Sequence, residues 1–185
     1  ADIAMNVCGK NMMPFVFNDG GRAAAGFKGT AGDCVTRAVA IATGLPYLQV
    51  YETLSEGSRT QRKTKRSRVK SSARDGVTTS RKWFKDYMTS LGWQWTPTMG
   101  VGTGCVVHLA EGELPPGRLI VRVSKHLTCV IDGVIHDTHN PQRELHSVQR
   151  FPGWETSALK AGQWRNENGI CYIARRCVYG YWAST

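Results

Sequence analysis

After Gly92 the hydrophobic period of this chain switches from that of a helix to that of a strand, and the switch restricts the folds open to it. From Asp33 to Thr43, Val35, Ala38, Val39 and Ala42 fall at i, i+3, i+4 and i+7, the spacing of one helical face. Asp33 is placed as an N-cap, Gly44 as the C-terminal stop and Pro46 as the start of a second helix with Tyr47, Val50, Tyr51 and Leu54 on one side. Ser80 caps a third, with Trp83, Phe84, Tyr87, Met88 and Leu91 as its apolar face. Beyond Gly92, Trp93 and Trp95 alternate with polar residues, Leu119 to Val123 reads as a strand, and Cys171 to Ala174 and Cys177 to Tyr179 read as a closing strand or strand pair. Helices first and strands second predict an α+β domain, with a helix packed on an antiparallel sheet.

With 185 residues, 41% of them hydrophobic, the chain can bury one core, and residues 1–185 read as a single domain. Residues 1–32 read as an irregular arm. Two further segments read as loops: a basic stretch at about 56–78 and a long connection at about 141–168. No run approaches the ~20 apolar residues of a membrane helix, and residues 1–21 show no secretory leader pattern, so a cytoplasmic protein is expected.

Net charge is +10, and much of the excess lies in Arg59, Arg62, Lys63, Lys65, Arg66, Arg68 and Lys70. Such a block is a solvated loop or a landing strip for nucleic acid or an acidic protein. It contains no aromatic residue, so any nucleic-acid contact there is backbone electrostatics without stacking. The six cysteines form no C-x-x-C pair, and Cys105 with His108 is a lone C-x-x-H without a second pair. The expectation is therefore no metal and no cofactor, with most thiols buried in a reducing setting.

Cys34 is the exception. It follows the expected cap, in the first turn of a helix whose positive end favours thiolate over thiol. The first-turn N–H groups also suit a developing oxyanion. Downstream, Asp132-Gly133 is a two-residue hairpin signal between His126–Ile131 and Val134–Thr138. Pairing Ile131 with Val134 sets His126 opposite His139 and beside Asp137, all three on one face. Asp137 then orients the imidazole, leaving its other nitrogen for a thiol. His136 points to the other face, and His108 has no evident partner.

The stretch Gly32-Asp33-Cys34-Val35-Thr36-Arg37-Ala38, continuing to Gly44-Leu45-Pro46-Tyr47, resembles the nucleophile helix of papain-like cysteine peptidases. It is most similar to a group of small bacterial and phage-associated proteins that also carry a histidine before an apolar strand and an Asp-Gly hairpin ending in Asp-Thr. The resemblance covers these two motifs, with weaker likeness at Thr96 to Leu109 and Tyr179 to Trp182. It implies a papain-like fold with Cys34 as nucleophile, His126 as general base and acid, and Asp137 as orienting residue; His139 and Asn140 are the alternatives for the third role. It also implies a peptide, isopeptide or related amide as substrate, cleaved or transferred through an acyl-enzyme. Papain-like enzymes place a glutamine before the cysteine to complete the oxyanion hole; none precedes Cys34, and Asn18 is the candidate amide in its place. The competing reading is a basic binding protein for nucleic acid or another polyanion, with Cys34 in the core.

Overall fold

The computed structural model of the protein describes residues 12–62, 72–143, 147–160, 163–172 and 175–185. Among them are three α-helices, α1 (Cys34–Thr43), α2 (Tyr47–Thr60) and α3 (Lys82–Ser90). The strands, in chain order, are β1 (Phe15–Phe17), β2 (Trp93–Pro97), β3 (Arg118–Val123), β4 (His126–Ile131), β5 (Val134–Asp137), β6 (Ser147–Gln149), β7 (Gln163–Asn166), β8 (Gly169–Tyr172) and β9 (Val178–Ser184). Six of them form one sheet in the order β1-β5-β4-β3-β9-β2, and β6-β8-β7 form a second, smaller sheet. The α+β class is as expected.

The main sheet is mixed rather than antiparallel. Its other neighbours run antiparallel, but β1 lies parallel to β5, with Phe15 opposite Ile135 and Phe17 opposite Asp137. The arm expected at 1–32 therefore contains an edge strand. The loop expected at 141–168 likewise holds β6 and β7, and Cys171 and Val178 belong to strands of different sheets. At the other expected loop, α2 continues through Thr60, and a 3-10 turn at Ala73–Asp75 follows the undescribed stretch. Lys63, Lys65, Arg66, Arg68 and Lys70 lie outside the described residues.

The hairpin forms in the expected register: Ile131 pairs with Val134, and Cys129 with His136. Asp132 and Gly133 both take positive φ (47° and 79°), as a type I′ turn requires. The sheet separates two apolar clusters. Ile120, Leu127, Cys129 and Trp182 pack with the helices, and Leu119, Val121, Val130 and Ile135 form the second cluster with Val123 and Val178.

α1 is buried almost all round, including Thr36, Arg37, Ala40 and Ile41, beyond the single stripe its spacing suggests. It lies against β4 and α2, and the turn at Gly20 closes over its remaining side. A β-carbon at Gly20 would sit 3.1 Å from the Arg37 carbonyl oxygen, and φ there is +67°, so glycine is needed on both counts. Gly44, left-handed at φ 74°, stops the helix by donating its N–H to the Ala40 carbonyl.

Close approach also governs Gly57, inside α2. A methyl there would come within 2.3 Å of the Trp83 ring of α3. Glycine to alanine in a helix interior ordinarily stabilises by about 1 kcal/mol. Here the sign inverts: Gly57→Ala is expected to destabilise by about 1–3 kcal/mol through overpacking, read as a lowered urea midpoint.

Cys105 and Cys177 form a disulfide with Cα atoms 5.8 Å apart, pinning the loop before β3 to the start of β9. The sequence had suggested no such pairing. The two positions are 72 residues apart, so their spacing gave no sign of the pairing. Among the described residues no helix is long and apolar enough to cross a membrane.

Candidate functional site

Cys34 opens α1, and its side chain is only partly buried, whereas Cys129 and Cys171 are buried inside the protein. It lines a cleft of about 490 Å³ whose opposite wall carries His126 and His139, with Gly32 and Asp75 on the helix side. His126 lies just after the β3–β4 turn, where Lys125 holds a positive φ of 57°. That tight turn brings the first residue of β4 to the head of α1. The sequence-expected pair, about ninety positions apart in the chain, therefore meets.

The contacts form a chain. His126 Nε2 is 2.7 Å from Asp137 Oδ2, and the His126 ring also hydrogen-bonds the Cys34 thiol. With Nε2 engaged, Nδ1 is the nitrogen left for sulfur. The Leu127 N–H donates to Cys34 as well. Asp137 accepts a further bond from the Thr138 N–H at 2.7 Å. His139 lies beside His126, ring centroids 4.9 Å apart and tilted by 49°, but remains exposed. Asn140 is turned away, accepting from Gln142 N and Nε2. Of the three candidates for the orienting role, Asp137 is the one bonded to the imidazole.

The electrostatics follow from these contacts. Burial raises the Cys34 pKa, but the hydrogen bond from His126, the Leu127 N–H and the charges of His126 and Arg37 outweigh it and hold the thiol below its ordinary range. Burial lowers that of His126, yet bonds to Asp137 and Cys34 and their negative charges push it up to about 9. Burial also opposes the charge on Asp137, and the His126 interaction overcomes it, keeping the carboxyl below its usual value. Both shifts run toward the charged forms, thiolate and imidazolium. Cys129 is the contrast: burial pushes its thiol up to about 12.

A second, buried layer supports the first. Asp33 stands at the N-cap of α1, as expected, but its side chain makes no capping hydrogen bond. Its carboxylate instead accepts from Arg22 Nε at 2.8 Å, from Arg37 Nη1 and from the Tyr47 hydroxyl. Arg37 Nη2 reaches to 3.8 Å from Asp137 Oδ1, joining this group to the imidazole's carboxylate. Burial and the Asp33 charge raise the Tyr47 pKa, so the phenol stays protonated as a donor. Within this interior network the cations Arg22 and Arg37 stand against the carboxylates Asp33 and Asp137. Sequence reasoning missed it, although the four-residue spacing of Asp33 and Arg37 on a helix was a usable signal.

Asn18 is not brought to the cleft. Its Oδ1 accepts from the Gly20 N–H, its Nδ2 lies 3.4 Å from His136 Nδ1, and it does not line the wall near Cys34. The oxyanion donors present are the N–H groups of the α1 first turn, which a helix leaves without acceptors. Arg59 pairs with Glu56 on the exposed side of α2, and neither it nor Arg62 lines the cleft. His108, expected to lack a partner, has Nδ1 2.9 Å from Glu113 Oε2. Cys105, the other half of the C-x-x-H, is in the disulfide and so is not a zinc ligand.

His126, Asp137 and His139 bring donor atoms within 4.8 Å of one another, close enough to share a cation. A metal held by all three would compete for the Asp137 oxygen and His126 nitrogen that now bond each other. No protein-family model, curated protein or solved structure matches the chain in the comparisons made with each.

Proposed function

We propose that the protein is a thiol hydrolase of papain-like kind, cleaving a peptide, isopeptide or related amide through an acyl-enzyme on Cys34. The observation that carries this reading is the Cys34–His126–Asp137 relay beside an open cleft, with the thiol at a helix head and the imidazole fixed by a carboxylate.

The steps follow from the groups in place. The Cys34 thiolate attacks the substrate carbonyl carbon, forming a C–S bond and placing negative charge on oxygen within reach of the α1 first-turn N–H groups. The carbon–nitrogen bond then breaks as His126 gives its proton to the departing amine. Water attacks the thioester with His126 taking a proton, the C–S bond breaks, and the acid leaves with the thiolate restored. An amine in place of water makes the same chemistry an acyl transfer. Asp137 touches no reacting atom; it orients His126 and stabilises its positive form. The substrate is an amide of peptide or protein origin, and this chemistry calls for no cofactor. The disulfide favours an oxidising setting over the cytoplasm expected from the sequence.

The test needs no known substrate. Alkylation of Cys34 by iodoacetamide is expected to be well advanced below pH 8 and to fall only as acid protonates the thiolate. Any hydrolysis later found is expected to lose activity on its alkaline side near pH 9, where His126 gives up its proton. Cys34→Ala is expected to remove the labelling while the fold is kept. Labelling that begins only above pH 8, as for an ordinary thiol, sinks the enzymatic reading and favours a basic binding protein.

A further inference from the structure

The cleft continues past His126. Arg122, Leu127, Thr79 and Ser80 line both the cleft and an adjoining pocket of about 80 Å³, which Lys85, Trp95 and Trp182 close. Arg118 and Arg122, four residues apart on β3, face the same side of the sheet. Arg118 is engaged: its Nη1 donates to the Ile41 and Ala42 carbonyls at 3.1 and 3.3 Å, at the negative end of α1. Arg122 lies toward the Cys34 end of that helix, where no such carbonyls are free.

Among the described residues, no carboxylate pairs with Arg122 or Lys85, and the Thr79 and Ser80 hydroxyls make no hydrogen bond within the chain. Lys125 adds a third positive charge at the cleft wall. The acidic residue of the cleft, Asp75, lies on the helix side, where its backbone is 3.6 Å from a β-carbon built on Gly32. The pocket therefore gathers two cations and two hydroxyls at one end of the cleft, with indole and leucine walls.

We infer that this pocket binds a carboxylate of the acyl substrate, an inference that rests on the reading of Cys34 as the nucleophile. A planar carboxylate matches the fork of Arg122, with Lys85 and the two hydroxyls as further donors. Trp95, Trp182 and Leu127 pack the carbon stem that carries it. The volume suits one small acidic group; a phosphodiester chain needs an open, charged groove with stacking surfaces along it, and this pocket is short and walled.

The test is a titration of the 15N-labelled full chain, read at the indole N–H signals of Trp95 and Trp182. The probes are acetyl-Glu-amide, with a side-chain carboxylate, acetyl-Gln as free acid, with a terminal one, and neutral acetyl-Gln-amide. At least one acid is expected to shift both signals saturably, at least tenfold more tightly than the neutral amide, and the tighter acid identifies the source of the carboxylate. Arg122→Gln is expected to weaken that binding about tenfold or more, and Arg122→Lys by less, with thermal melts showing both variants folded. Equal binding of acid and amide, an unchanged affinity in folded Arg122→Gln, or shifts caused only by a single-stranded oligonucleotide would overturn the inference. The two readings separate cleanly. Low-pH labelling of Cys34 without acid binding leaves the hydrolase and removes the pocket's role. Acid binding with an ordinary Cys34 thiol does the reverse.

Discussion

His126→Ala is expected to slow iodoacetamide alkylation of Cys34 at pH 6 by roughly ten- to a hundredfold. An unassisted thiol, with a pKa of about 8.5, is well under 1% ionised at that pH. Removal of the imidazole takes away its hydrogen bond, the leading influence that opposes burial at Cys34, and its charge as well. The Leu127 N–H and Arg37 remain, and the less acidic thiolate is intrinsically more nucleophilic, so the loss stays below the full change in ionised fraction. The whole rate profile is expected to move to higher pH. Asp137→Asn serves as the companion: it keeps the shape but loses the charge that helps raise His126, and a smaller shift in the same direction follows. An unmoved profile in His126→Ala would mean that the helix head alone sets the thiol's acidity.

Asp33→Ala is expected to cost about 3–5 kcal/mol of stability, the largest loss predicted for a single polar side chain here. The carboxylate is 1% exposed and receives Arg22, Arg37 and Tyr47 together. Its removal leaves the Arg37 guanidinium, itself 9% exposed at the side chain, with Asp137 at 3.8 Å as its remaining counter-charge. For a chain of this length that corresponds to a fall in Tm of roughly 6–20 °C. Asp33→Asn retains acceptor capacity and is expected to fall between wild type and alanine. Urea denaturation of the three proteins checks the order. A cost below about 1 kcal/mol for alanine would show that solvent enters and replaces the carboxylate.

The parts of this arrangement that were legible in the sequence were the local ones. Asp132-Gly133 defined a turn, the turn fixed the pairing of Ile131 with Val134, and two-residue alternation carried that register out to His126, His139 and Asp137. The spacing of Val35, Ala38, Val39 and Ala42 likewise located α1 and put Cys34 at its head. What escaped notice depended on partners distant in the chain. Phe15-Val16-Phe17 has no alternation and is exposed, so nothing in it signals a strand until β5 offers an edge. Asp33 looked like a cap because a cap is what a neighbouring helix asks of an aspartate; Arg22 and Tyr47 claim it through tertiary contact. Asn18 looked available as an amide donor until the β1–β5 pairing directed it to His136. The second pocket was hidden for the same reason: Thr79, Lys85, Trp95 and Arg122 converge from four separate stretches.

The passage from Phe15 to Asp33 has a role that neither motif announces. Its first residues lie along β5, where the Asn18 N–H holds the Asp137 carbonyl at 2.9 Å. A few residues later Gly20 presses on the flank of α1, and Arg22 clamps the carboxylate next to Cys34. One short tether thus fastens the hairpin to the helix from outside, and the distance between sulfur and imidazole is governed by a stretch of chain that contributes neither.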